Sequence, residues 1–182
     1  ALFVNVSVPT PSSAVDGRFA RGALHVAVAT LALMLLGSYV SGREAGLAFP
    51  DWPLMGGRFV PTSATELLPG LHMAHRVVAA LVGAAVLWLA LRAARTGQHA
   101  TVVGLTRVGA ILFGIQILLG AGNVWTELSA ATRTAHLAVG VAIWAMLFGA
   151  AYSARRLPPA FAGAPSRGAQ HDAGGQRVEA PA

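Results

Sequence analysis

No cysteine occurs in the 182 residues, which excludes disulfides, thiolate metal sites and iron–sulfur clusters held by this chain alone. Lysine is absent as well: all 13 basic side chains are Arg, against 7 acidic ones. Charge of either sign is scarce at 11% of residues, while 55% are hydrophobic and the mean hydropathy is +0.61. Those values lie outside the usual soluble range and point to a polytopic membrane protein. The net charge of +6 does not imply a nucleic-acid partner, because no soluble basic domain exists to carry one.

What is present is apolar length. Segments at about 22–40, 71–91, 102–121 and 134–152 each reach the roughly 20 residues needed to cross a hydrocarbon core of about 30 Å. The expected fold is all-α, a four-transmembrane-helix bundle in a lipid bilayer. The first segment is too long for a signal peptide and lacks a small-residue cleavage site after it. Because the first residue is Ala, the chain reads as a processed product or a fragment of something longer. Arg18, Arg21, Arg92, Arg95, Arg107, Arg155 and Arg156 gather at one side. At the other side Arg43, Arg58, Arg76 and Arg133 are diluted by Glu44, Asp51, Glu66 and Glu127. The positive-inside rule then puts both termini in the cytoplasm, with loops at 42–70 and 122–133 facing outward from the cytoplasmic (inner) membrane.

Three regions follow: an irregular leader at 1–17, a four-helix membrane domain at 18–157, and an Ala-, Gly-, Pro- and Arg-rich tail at 158–182 that reads as a disordered cytoplasmic extension. The short TGQH connection makes the second and third spans antiparallel neighbours. The loop at 42–70 is far longer than a connection requires, and its prolines and glycines forbid one continuous helix. Its aromatic residues Phe49, Trp52 and Phe59 suit either a cap folded over a site or an anchor in the membrane interface. Small residues at helical spacing, Ala110 with Gly114 and then Gly140, suit close helix approach.

Two histidines carry the chemical signal. His75 and His136 each lie about one turn inside a span, so both imidazoles would sit roughly 7 Å below the same surface. Imidazole is a preferred axial ligand of haem iron, and two at equal depth on separate helices suit one flat cofactor. The expected site is therefore a b-type haem with His75 and His136 as iron ligands; the alternative is a pair of packed, hydrogen-bonded histidines. His72 shares a helix face with His75, and Arg76 either pairs with a haem propionate or snorkels to headgroups. Asp51 caps local backbone donors in its PDWP turn. Glu66 either caps the second span's N-terminus or faces the site. His25, His99 and His171 stand at the wrong depth to be ligands, and Gln116 and Asn123 are expected to bond neighbouring helices.

The strings GLAFPDWPLMGGRFVP, HMAHRVVA, QILLGAGNVWTELS and TAHLAVGVAIW together resemble the haem A synthase family over about 40–155. Members usually have two similar four-helix halves, each with a histidine on its second and fourth helices, and this chain resembles one half. The resemblance implies that His75 and His136 hold a haem. It also implies a role in oxidising a methyl group of haem O to the formyl group of haem A, for biogenesis of terminal oxidases. It implies as partners a second half or further copies of this chain, haem O synthase and the terminal oxidase. Two departures stand out. Phe49 and Met55 replace loop cysteines common in the family, and His72 stands where the oxidising half usually has Glu. That second departure resembles the C-terminal half, which keeps a permanent b-haem. His72 and Glu66 remain the candidate catalytic residues. The alternative function is a non-enzymatic haem-binding electron-transfer subunit.

Overall fold

The computed structural model describes residues 17–160 except 62 and 64. Four helices account for most of them: α1 (Gly17–Gly42), α2 (Leu67–Arg95), α3 (Ala100–Trp125) and α4 (Ala130–Arg156). All four are long and apolar enough to cross a membrane, and no strand occurs among the described residues. With 26 residues, α1 and α3 are each about 39 Å long at 1.5 Å per residue. Each helix therefore projects beyond a hydrocarbon core of about 30 Å. The polar flanks stay helical, so the helices outrun the apolar windows. Pro69 lies in the first turn of α2, where a missing N–H costs no intrahelical bond. Of the expected leader only Gly17 is described, opening α1, and of the tail only Pro158–Ala160; the rest lies outside the described residues.

The connections explain the helix ends. Between α2 and α3, Gly97 takes a left-handed conformation (φ 61°), and His99 caps α3 by accepting at Nδ1 from Thr101 N at 3.2 Å. The loop expected at 122–133 shrinks to four residues, because α3 runs on to Trp125 and Ser129 Oγ caps α4 at Thr132 N. Glu127 and Leu128 hold that turn with φ of 50° and 64°. Among its described residues, the connection from α1 to α2 contains only a short 3₁₀ turn, Ala45–Leu47.

Around the bundle, α1 packs on α2 and α4, and α3 packs on the same two. The helices α2 and α4 thus occupy opposite corners. The apolar core fills the middle and the end nearer the chain termini, with Phe19, Val86, Leu89, Val102, Ile143 and Leu147 almost fully buried. At that end Arg92 lies 5.1 Å over the Trp88 ring and Arg156 5.3 Å over Tyr152, the pairing expected where aromatic rings and snorkelling cations meet headgroups. Small residues do admit close approach, but not all at the expected positions. Gly140 is buried against Gln116, whereas a Cβ at Gly114 would meet nothing, because that face of α3 is exposed. On α3 the glycine at a contact is Gly109, under Leu147 of α4.

Candidate functional site

The loop between α1 and α2 lies against the first turns of α2, and irregular backbone at that depth needs partners for its polar groups. Two side chains supply them. Arg76 donates from Nη1 to the carbonyl of Leu54 at 2.7 Å and from Nη2 to the carbonyl of Asp51 at 3.0 Å. The Asp51 carboxylate accepts from the Gly56 and Gly57 amides at 2.8 and 2.7 Å. Gly56 and Gly57 both have positive φ (66° and 73°), which glycine adopts without the penalty of a Cβ. The Gly57 and then the Gly56 amide hold the Asp51 carboxyl below its ordinary value of 3.8. The backbone-capping role read for Asp51 is therefore what the structure contains.

His72 is buried (5% exposed) and belongs to the same clasp. Arg76 Nε approaches its Nε2 at 3.1 Å and the Phe49 amide its Nδ1 at 3.3 Å. A neutral imidazole offers one acceptor nitrogen, so only one of these can be a hydrogen bond at a time. The Arg76 contact is shorter and charge-assisted and prevails. The Phe49 ring, 5.6 Å from that of His72, is buried beside it. Beyond it Trp52 meets Trp125 of α3 edge-on at 5.8 Å, and Gly46 lies under Leu128 of the α3–α4 turn. The loop thus folds over the end of the bundle, as a cap does, while Phe59 points outward. Glu66 occupies the N-cap position of α2 by its backbone, but its side chain makes no cap hydrogen bond and is exposed.

Beneath this cap the interior changes character. The apolar core gives way to His75, His136 and Gln116, interleaved with Gly37, Gly120 and Gly140. His75 rests against α1 so closely that a Cβ at Gly37 would lie 3.0 Å from its Cε1. His136 rests against α3, where a Cβ at Gly120 would lie 3.4 Å from its Cε1. The two imidazoles stand on helices at opposite corners of the bundle. Nδ1 of each is buried with no hydrogen-bond partner among the described residues, a state that costs about 1–3 kcal/mol per group. Gln116 Nε2 donates to the His136 carbonyl at 2.9 Å, which is the interhelical bond expected of it. Its Oε1 and the Oδ1 of Asn123 are buried without partners.

The donor chemistry narrows what such a site can hold. Among the described residues no three His, Cys, Asp or Glu side chains converge on one point. A bare divalent ion bound by protein alone asks for three or four such ligands. A porphyrin brings its own four nitrogens and asks the protein for two axial ones. Two histidines on diagonal helices, each backed by glycine, fit that demand. His25 is exposed on α1 and His99 is used as a cap, so neither joins the pair; His171 lies outside the described residues. Sequence reasoning did not identify the glycines behind the histidines. A lone glycine in a membrane helix is the only trace they leave.

Comparison with known proteins follows the same line. Residues 2–148 match the COX15-CtaA family, described as cytochrome oxidase assembly proteins. A haem A synthase of Rhizorhabdus wittichii is 33% identical over 146 residues, covering 75% of this chain and 42% of that protein. One from Methylobacterium sp. (strain 4-46) is 37% identical over 150 residues, covering 72% and 41%. A protoheme IX farnesyltransferase of Haloarcula marismortui is 36% identical over 118 residues, covering 65% of this chain and 25% of that protein. The chain spans about two fifths of the length of the two haem A synthases. With the family match running through all four helices as far as residue 148, the chain belongs to the haem A synthase family.

Proposed function

We infer that this chain is a haem-binding half of a haem A synthase. It holds a b-type haem between His75 and His136 and takes part in oxidising the haem O methyl group to the formyl group of haem A, for terminal oxidase biogenesis. The observation that supports the reading is the pair of glycine-backed imidazoles on diagonal helices. When bound, haem supplies one-electron redox chemistry. The chain's own residues do the rest: His75 and His136 ligate, Gln116 fixes α4 to α3 at the level of His136, and the clasped loop keeps water from the site. Arg76 has five N–H donors, of which three are engaged with the loop and His72; the remaining two are available to a propionate. Substrate haem O enters a site completed by a second half, either another copy of this chain or a separate polypeptide. The Haloarcula relative, a protoheme IX farnesyltransferase that contains a segment like this chain, supports a haem O synthase as a partner. The arginine distribution supports the cytoplasmic membrane with both termini inside.

The test is the reduced-minus-oxidised visible spectrum of the purified protein, beside His75→Ala and His136→Ala. A low-spin b-type spectrum lost in both variants is expected; a spectrum that survives in both overturns the assignment. One observation favours a second reading, a non-enzymatic electron carrier: His72, where the oxidising half of the family usually has Glu, is buried, bonded by Arg76 and packed against the Phe49 ring. His72→Glu in the presence of haem O separates the two, because a synthase half gains product and a pure electron carrier does not.

A further inference from the structure

The tip of the loop does something that neither its clasp nor the histidine pair requires. Phe59 and Val60 are 76% and 75% exposed, the most exposed large apolar side chains among the described residues. Next to them the Arg58 guanidinium has no hydrogen bond or ion pair among the described residues. Arg58 and Ser63 also line a cavity of about 280 Å³ whose apolar wall is Phe49, Met55 and Pro61; all three are buried. A cation and a hydroxyl at a mainly polar hollow, beside two bare apolar side chains, are complementary to a phosphate that carries hydrocarbon.

The loop's depth selects the source of that phosphate. Arg76 ties Asp51 and Leu54 to the first turns of α2, which holds the loop at the end of a candidate span, the level at which headgroups meet acyl chains. Leu67, Val77 and Leu81 continue exposed apolar surface along one side of α2, toward the middle of the span. A soluble phosphate compound would not need Phe59 and Val60; a bilayer lipid would cover both. We propose that the loop tip is a phospholipid-binding site. Arg58 and Ser63 take the phosphate of a lipid in the loop-side leaflet, while Phe59 and Val60 seat among the upper acyl-chain carbons. Because no carboxylate neutralises Arg58 among the described residues, the site prefers lipids of net negative charge.

The absence of cysteine makes the test clean. Val60→Cys is labelled with a polarity-sensitive dye, and the full chain is placed in nanodiscs of phosphatidylcholine with or without phosphatidylglycerol. Expected is a blue-shifted emission, quenched by lipids brominated near the top of the acyl chain. An Arg near an anionic surface contributes about 1 kcal/mol, or about fivefold in lipid preference. Adding Arg58→Gln should therefore lower the preference for phosphatidylglycerol about fivefold while the dye stays buried. Water-like emission without quenching overturns the proposal. So does an equal emission shift on adding inorganic phosphate to the detergent-solubilised protein, because the site would then be one for free phosphate. Both substituted side chains are exposed, so loss of the fold does not confuse the outcome.

Discussion

Arg76 holds in place a segment that has almost no secondary structure of its own, and its three hydrogen bonds bridge residues up to 25 apart in the chain. Replacing it by Gln removes two charge-assisted bonds to carbonyls and the one to His72. The expected cost to loop closure is about 2 kcal/mol. Trypsin cleavage after exposed Arg58 then rises roughly 30-fold, provided that opening precedes cleavage; an unchanged rate overturns the clasp. Asp51 gives a prediction with a definite sign. Its folded value lies below 3.8 because the Gly57 and Gly56 amides favour the charged carboxylate. The turn's stabilisation is therefore complete above that ordinary value and disappears as pH falls through the lower folded one. Tryptophan fluorescence from the Trp52–Trp125 contact should be flat around neutrality and change only in acid. Asp51→Asn should show the acid-type signal at every pH.

At the scale of the helices, the glycines make opposite predictions. A Cβ at Gly83 would lie 2.6 Å from Phe113 Cε1, whereas one at Gly114 would meet nothing. Gly83→Ala should thus destabilise the detergent-solubilised bundle by about 1–3 kcal/mol. Gly114→Ala should stabilise it by up to about 1 kcal/mol, the helix-propensity difference. Thermal unfolding of the two variants side by side checks both signs. This contrast also marks how much was legible beforehand. Length and apolar composition were enough to find four spans, and the matched depth of His75 and His136 singled out the pair. Periodicity was not enough to say which side of a span faces inward, because these helices are apolar nearly all round. Gly114 was therefore read as a contact, and Gly37 and Gly120 were passed over. The Arg76 clasp was invisible for another reason: the partners that tie it to the loop are backbone carbonyls, which no residue type advertises.

For the whole molecule, the arrangement of corners governs how ligand and stability are linked. A ligand that binds only the folded state at 100 times its dissociation constant adds about 2.7 kcal/mol. Haem added to cofactor-free protein should therefore raise the unfolding temperature until binding saturates. His75→Ala and His136→Ala should each abolish the rise. A rise that persists in both variants would mean that haem stabilises the protein from elsewhere. The diagonal placement of α2 and α4 has one more consequence. Neither diagonal, α2 with α4 or α1 with α3, packs to any extent comparable with the four sides, so the frame has four sides and little cross-bracing. A rigid plate tied to both imidazoles would supply that brace, and shear between the two α1-linked and α3-linked pairs would then be resisted by the cofactor rather than by side-chain packing.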